Sequence, residues 1–158
     1  MHSIALARHR AASYFLAGWL IVVFVSAAKA QDRQIAQIKT LSGTAFIVRS
    51  GARLPAKIAD PLLEKDTIET GSDGAIGLTF IDNTVMSAGP NSEVVLEDYK
   101  FDSSNFKGAM LTDMRKGTLS MVSGDIARSS PGAMKVKTPA AILGVRGTKF
   151  VIEVDRDQ

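Results

Sequence analysis

Few side chains of this sequence could perform acid–base or nucleophilic chemistry. Both histidines, His2 and His9, lie within the first thirty residues, and the chain has no cysteine. Residues 31–158 therefore lack the usual general base, the thiol nucleophile and the commonest transition-metal ligands. Since neither a Ser–His–Asp nor a Cys–His arrangement can form there, an enzyme would have to work with carboxylates, lysine or hydroxyl groups.

Two pairs of acids are close enough in sequence to suggest catalytic carboxylates of the kind that glycosidases use. They are Asp66 with Glu69, and Glu97 with Asp98. Neighbouring residues of a strand point to opposite faces of a sheet, and such acids normally lie at turns and in solvent. We therefore expect solvated acids, no catalytic residue and no enzymatic activity, with a carboxylate-only enzyme as a remote alternative.

Two further patterns could hold an ion. Asp73 and Asp82 lie in turns, where Ca²⁺ ligands are often found, but neither an EF-hand spacing nor an RTX-like nonapeptide is present. Both acids are better explained as caps of their own turns. Gly144, Arg146 and Gly147 suggest an anion-binding nest, yet no helix follows them and no Lys-Ser/Thr pair completes a P-loop. The sequence thus predicts no metal site and no cofactor.

The elements that would position a site begin after a segment typical of a secretory signal peptide, residues 1–30. Arg8 and Arg10 precede an apolar centre at 14–25, and Ala-Lys-Ala at 28–30 matches a cleavage site. The pattern predicts export.

Cleavage after Ala30 would leave a single domain at 31–158 in the periplasm or an otherwise exported location. The alternative is an uncleaved membrane anchor, because the uncharged segment 11–28 reaches the lower length limit of a membrane span. In both cases the basic flank stays inside and the remainder is translocated.

Removal of the leader leaves a chain with no formal net charge. Three of the 19 Lys and Arg residues lie in 1–30, and those that remain balance the 16 Asp and Glu residues, all of which follow position 30. No run of Lys or Arg forms a basic patch after Gln31. We therefore expect no nucleic-acid partner, and membrane contact only if the leader is not cleaved.

Strand signals dominate residues 31–158, which are long enough to bury one core without disulfides. Short β-branched or apolar runs bounded by Gly, Asp, Asn and Ser predict strands in the first half at 43–48, 76–80, 85–87 and 94–96, and a turn followed by a strand within 62–71. Pro55 limits the run at 54–58 to an edge strand or a loop. In the clearest strand, Ile76, Leu78 and Phe80 alternate with smaller residues and give one apolar face.

The second half is predicted to contain a loop, a hairpin and two further strands. The polar composition of 99–108 favours a loop. Arg-Lys-Gly at 115–117 separates apolar runs at 110–114 and 118–122, which favours a hairpin with the glycine at positive φ. The remaining predicted elements are strands at 134–138 and 150–154 and one helical turn at 125–128.

Three stretches of the sequence together resemble the FecR domain family, which is named for periplasmic regulators of iron-transport signalling. The first, at 43–51, contains Gly-Thr-Ala and Arg-Ser-Gly. The second, at 63–84, contains Glu-Lys-Asp, Glu-Thr-Gly, Leu-Thr-Phe and Asp-Asn-Thr. The third, at 136–150, is the most specific, because Thr-Pro-Ala-Ala is followed by Gly-Val-Arg-Gly-Thr-Lys-Phe.

The resemblance covers about 43–154 and implies an all-β fold, a compact twisted β-solenoid or roll, with a β-sandwich as the alternative. It also implies extracytoplasmic protein binding or signalling without catalysis, with another envelope protein as partner. In the classical regulators a cytoplasmic segment handles a sigma factor and a membrane helix precedes the domain, whereas ten residues precede the apolar segment here. We therefore expect the extracytoplasmic domain alone, without a direct role at a sigma factor.

The residues that match the family signature are expected to be structural: Asp66, Thr70, Gly71, Thr138, Pro139, Gly144, Arg146, Gly147 and Thr148. Pro139 fixes φ and should end the preceding strand, and the glycines permit conformations that a Cβ would obstruct. Arg146 could bond several loop carbonyls through its five donors, or it could bind a carboxylate of a partner. It is therefore the candidate partner-binding residue.

The main functional prediction is a protein-interaction or sensory module. The alternative is a structural or cell-envelope accessory protein that contacts peptidoglycan or surface polysaccharide. Carbohydrate sites usually present exposed aromatic side chains, and residues 31–158 contain only Tyr99 and a few phenylalanines. The sequence therefore favours the first prediction.

Overall fold

The described part of the chain folds into twelve β-strands and one short helix. The computed structural model describes residues 33–147 and 149–155; the predicted signal peptide at 1–30 and Thr148 lie outside the described residues. The elements are β1 Gln34–Ser42, β2 Ala45–Arg49, β3 Ala52–Pro55, β4 Pro61–Leu63, β5 Thr67–Thr70, β6 Ala75–Phe80, β7 Val85–Ala88, β8 Glu93–Asp102, β9 Lys107–Val122, α1 Asp125–Ser129, β10 Met134–Lys137, β11 Ile142–Val145 and β12 Lys149–Val154.

Hydrogen bonds join nine strands in one continuous order: β3, β2, β5, β8, β9, β7, β6, β1 and β4. Every neighbouring pair in this order is antiparallel, and the sheet curls into a half-barrel. β9 also pairs with β10 in parallel and with β12 in antiparallel orientation, and β11 pairs with β10. The predicted all-β class is confirmed, whereas the solenoid-like or roll-like arrangement stays a prediction.

Alternating apolar side chains fill the core of this sheet. Ile76, Leu78 and Phe80 of β6 are all buried, as the period-two pattern predicted. Leu119 and Met121 of β9 are completely buried as well. Burial of each such side chain contributes about 1.5–3 kcal/mol, so the core is the main source of the driving force for folding.

The hairpin predicted at 115–117 is wrong. β9 runs without interruption from Lys107 to Val122, and a β-bulge at Arg115 shifts its register with β8. Gly117 has the expected positive φ, 88°, but it bends a continuous strand instead of reversing the chain. A glycine at positive φ occurs both in turns and in β-bulges, so its presence in the sequence does not distinguish them. In this structure the first half of β9 pairs with β8 and the second half with β7, so the chain continues through Gly117.

The loop predicted at 99–108 is also wrong, because only residues 103–106 leave the strands. Tyr99 is buried and stacks on Phe80 with ring centroids 5.5 Å apart. This contact draws the polar segment into strand pairing, with Tyr99 opposite Met110. The short turn is closed by Asp102, whose carboxylate accepts hydrogen bonds from Ser104 and Asn105.

Two smaller predictions are confirmed. β3 ends at Pro55 and is the terminal strand of the continuous order, as a proline without an N–H donor requires. The single predicted helical turn is α1, which places Ile126 in the core.

Candidate functional site

The first part of the family signature lies inside the domain. Asp66 is 1% exposed, and its two carboxylate oxygens accept hydrogen bonds from Nε and Nη2 of Arg49 at 2.8 and 2.7 Å. One of these oxygens also accepts the Leu63 N–H at 2.8 Å, and the Arg49 Nη2 donates to the Pro61 carbonyl. Asp66 therefore joins the β4–β5 turn to the end of β2.

Thr70 and Gly71 continue this internal role. The Thr70 hydroxyl donates to the Gly89 carbonyl at 2.6 Å and accepts the Ser92 N–H at 2.8 Å. A Cβ added at Gly71 would lie 3.1 Å from the Thr44 Cβ, which is tighter than ordinary packing allows. These two residues therefore bring the end of β5 against neighbouring turns.

A second buried network surrounds Asp82. Its carboxylate accepts the Thr84 N–H and hydroxyl, as expected of an acid that caps its own turn, and it also accepts the Tyr99 hydroxyl at 3.1 Å. The Tyr99 oxygen in turn accepts the Asp82 N–H. Burial, followed by the negative charge of Asp82, raises the pKa of Tyr99 far above its ordinary value of 10.0. The sequence placed Tyr99 in a loop and so missed this network.

The candidate acids do not assemble into a catalytic pair. Asp66 is buried against Arg49, which corrects the expectation of a solvated acid, and Glu69 instead pairs with Arg53 at 2.8 Å. Glu97 likewise pairs with a lysine, Lys137, at 3.4 Å.

The two turn acids also differ from each other. Asp73 accepts hydrogen bonds from Thr44, on the neighbouring turn, so it does not cap its own turn as predicted. In the described part of the chain, no group of three or more His, Cys, Asp or Glu side chains could hold a metal ion.

The second part of the signature forms the β10–β11 hairpin. β10 ends at Lys137, one residue before Thr138, as the rigid φ of Pro139 predicts. The Thr138 N–H donates to the Ala141 carbonyl at 2.8 Å, and the Thr138 hydroxyl accepts the Ala141 N–H at 3.1 Å. The sequence did not predict β11, because a four-residue strand that contains a glycine carries little periodic signal.

The strand β11 and the residue after it, residues 142–146, form what we call the β11 edge. β10 pairs with one side of β11, and no strand of the described residues pairs with the other side. Ile142 and Leu143 are 65% and 41% exposed, whereas Val145 is buried. The β11 edge therefore presents unpaired backbone and apolar side chains to solvent.

The signature glycines and arginine of this hairpin make few internal contacts. A Cβ added at Gly144 or Gly147 would meet no heavy atom within 4 Å, although Gly147 has a positive φ of 34°. Arg146 is exposed and forms no hydrogen bond or ion pair with another described residue. The structure brings these residues together at the surface, and the loop-stapling role of Arg146 stays a prediction.

Ion pairs cover the adjacent outer face of the sheet. The Nζ of Lys137 lies 3.2 Å from Asp113 and 3.4 Å from Glu97, and Arg115 pairs with Glu93 at 2.9 Å. The Asp113 carboxylate, with Glu97, raises the pKa of Lys137. Asp113, Glu97 and Glu93 on this face are therefore already paired with cations.

Among residues 33–147 and 149–155, no helix has the length and apolar character needed to cross a membrane.

Comparison with protein-family models identifies a match to this chain. The family model described as FecR protein matches residues 66–158, which extend from the buried Asp66 through the β10–β11 hairpin. The stretch at 43–51, which also resembles the family, precedes the matched residues. Among curated proteins and solved structures, none matches the chain significantly.

Proposed function

Because this chain belongs to the FecR family, we propose that it is a non-enzymatic protein-interaction or sensory module that works outside the cytoplasm and binds another envelope protein. The family is one of signalling proteins, and residues 1–30 have the pattern of a cleavable leader with its site after Ala30. The proposal assigns no catalytic residue and no cofactor to the chain.

One observation supports the proposal above the others. The most specific part of the family signature lies on the surface, where Gly144, Arg146 and Gly147 contact few other described residues. A signature that served only internal packing would be buried and bonded, as Asp66 is. An exposed arginine with a planar group of five donors is well suited to bind a partner's carboxylate.

Substitution of Arg146 by alanine tests this role. We expect Arg146→Ala to keep the melting temperature within about 1 °C, since an exposed side chain without internal bonds adds little stability. We expect the same variant to lose at least about tenfold in affinity for the envelope partner, because a charge-assisted hydrogen bond is lost. The partner would first be identified by mild crosslinking in cells that express the full-length chain.

Lys57→Ala is the matched control, because it removes one exposed positive charge from the loop after β3. The control should recover the partner as the wild type does. Failure of the wild type to recover any specific envelope protein would contradict the proposed function. A lower melting temperature of Arg146→Ala with unchanged partner binding would instead establish the stapling role.

Cosedimentation with purified cell wall distinguishes the alternative, an accessory protein that contacts peptidoglycan or polysaccharide. A module for a protein partner should stay in the supernatant. Specific pelleting of the full-length chain would favour the accessory role.

A further inference from the structure

The hydrogen bonds of β10 determine which of its backbone groups face each neighbour. On one side, the bond from the Thr138 N–H to the Ala141 carbonyl makes these two residues a bonded pair of the hairpin. On the other side, the Met110 N–H donates to the Ala133 carbonyl at 3.0 Å. Both bonds fit one alternation, in which every second residue of β10 is bonded to β9 and the residues between them are bonded to β11.

The same alternation determines the free side of β11. Leu143 and Val145 occupy bonded positions opposite β10, so their N–H and C=O groups are used within the hairpin. Ile142 and Gly144 occupy the positions between, and their N–H and C=O groups therefore point away from β10. The β11 edge offers at least two donors and two acceptors at the spacing that an added strand requires.

Gly144 is suited to close approach by another backbone. A glycine inside a strand weakens it and often marks a place where a ligand or a second backbone comes close. Nothing within the described part of the chain explains the glycine, because an added Cβ would meet open space. Its conformation does not explain it either, since its φ lies outside the left-handed region.

Two cations lie near Gly144, one on the neighbouring strand β10 and one at the end of the β11 edge. Lys135 is directly opposite Gly144 in the register of the hairpin, and Arg146 follows two residues later. Both side chains are exposed, and neither forms an ion pair with any residue that the structure describes. The neighbouring Lys137 already pairs with Glu97 and Asp113, so Lys135 and Arg146 remain to bind a carboxylate from outside.

The opposite end of the edge carries no cation. A notch of about 270 Å³ borders the hairpin turn; Pro139, Leu143 and Ile152 line its apolar part, and Glu153 and Asp155 also border it. Ile142, at the start of β11, is 65% exposed. An extended segment along the β11 edge would thus meet apolar and acidic surface at the notch and two positive charges at the other end, so a carboxylate of that segment is favoured only at the end near Lys135 and Arg146.

We infer that the β11 edge binds an acidic, extended segment of a partner protein, which adds to the sheet as a further strand and places a carboxylate between Lys135 and Arg146. This inference rests on the proposed function and specifies the chemistry of the partner. A second copy of this chain is a poorer occupant, because it would bring the same two cations to the same edge.

The probe for this inference is an acetylated, amidated and fluorescently labelled peptide of eight residues, with Thr and Val in alternation and Glu in place of one central Thr. The comparison peptide carries Lys at that position. We expect the full-length protein to bind the Glu peptide at least about tenfold more tightly than the Lys peptide by fluorescence anisotropy. Absence of binding up to about 1 mM, or equal affinity for both peptides, would overturn the inference.

Proline substitutions test the direction of the backbone groups. Gly144→Pro removes an N–H that points away from β10, so we expect lost peptide binding and an unchanged melting temperature. Leu143→Pro is the matched control, because it removes an N–H that is bonded to β10 and should lower the melting temperature. Full peptide binding by a folded Gly144→Pro variant would overturn strand addition.

A charge reversal covers the case in which the proline variant does not fold. Arg146→Glu changes an exposed side chain and leaves Lys135 as the one remaining cation beside a new carboxylate, so the preference for the Glu peptide over the Lys peptide should disappear. An unchanged preference would contradict the inference. Analytical ultracentrifugation gives a further check, since a wild-type dimer that Gly144→Pro abolishes would show that a second copy occupies the edge and would overturn the inference.

The crosslinking experiment separates the inference from the proposed function. If Gly144→Pro still recovers the envelope partner, the chain remains an interaction module but strand addition at β11 is wrong. If the wild type recovers no envelope protein, the proposed function fails, whatever the peptides show.

Discussion

Asp66 and Arg146 show that one family signature holds residues with different physical roles. Asp66 is completely enclosed, and its carboxylate satisfies two guanidinium donors and a backbone N–H. Arg146 carries the complementary charge but lies in solvent without a described partner. Substitution of Asp66 should therefore lower the stability of the protein, whereas substitution of Arg146 should weaken partner binding.

Substitution of Asp66 by alanine should lower the free energy of unfolding by about 2–3 kcal/mol. The reason is that the Arg49 guanidinium and the Leu63 N–H would lose a buried acceptor, although Arg49 remains partly solvated. Urea unfolding monitored by circular dichroism measures the change.

Glu69→Ala is the control for this prediction, since it breaks the more exposed pair with Arg53. An exposed ion pair contributes about 0–1 kcal/mol, so the control should be nearly neutral. Equal losses for the two variants would contradict the role assigned to Asp66.

Tyr99 should make the stability of the protein fall at high pH. In the unfolded chain its hydroxyl ionises near pH 10.0, whereas burial and the Asp82 charge keep it protonated in the folded state. The stabilisation is therefore complete below pH 10 and is lost as the pH rises above it, by about 1.4 kcal/mol per pH unit for one proton.

Tyr99→Phe isolates this effect, because all other titrating groups are shared with the wild type. The variant should be about 1–2 kcal/mol less stable at pH 7, since the Asp82 N–H loses its partner. The difference between the two proteins in urea unfolding should shrink from pH 10 to pH 11. A constant difference over that range would show that Tyr99 ionises equally in both states.

At the scale of the element, β9 depends on a bend that only a glycine allows. Gly117 has φ 88°, and a Cβ there would lie 2.5 Å from the Cα of Ser92. Gly117→Ala should therefore cost about 1–2 kcal/mol for the left-handed conformation and a further 1–3 kcal/mol or so for the clash with the Ser92 backbone.

Gly51→Ala separates the two contributions. Gly51 has a similar φ of 82°, but a Cβ there would meet no heavy atom within 4 Å. The control should show only the conformational cost. Equal destabilisation of the two variants in thermal unfolding would mean that Ser92 moves away without cost.

The elements that the sequence predicted correctly are those with a local cause. Period-two alternation located β6, the missing N–H of Pro55 identified an edge strand, and the Thr-Pro step located the end of β10. The loop and hairpin predictions at 99–108 and 115–117 failed because tertiary contacts decide those segments. Tyr99 stacks on Phe80 and lies in β8, which pairs with the start of β9, whereas residues 115–117 continue β9 because its two halves pair with β8 and β7.

The sequence identified residues of the candidate site but did not predict how they are arranged. The sequence pointed to Arg146, Gly144 and Pro139, but it contained no signal for the free side of β11. An open edge results from the absence of a neighbouring strand, which no local pattern encodes. The buried pairing of Asp66 with Arg49 was hidden for a related reason, since seventeen positions separate the two residues.

At the scale of the whole domain, the long strand β9 has a consequence for the order of assembly. β9 pairs with β7, β8, β10 and β12, so until residues 107–122 are available β7, β8 and β10 have one neighbour each and β12 has none. The pairing of β9 with β7 joins distant residues, such as Val122 and Val85, and it forms slowly because the entropy of closing the intervening loop must be overcome first. A nascent chain without β9 cannot complete its sheet, so folding must follow synthesis of about three quarters of the 158 residues.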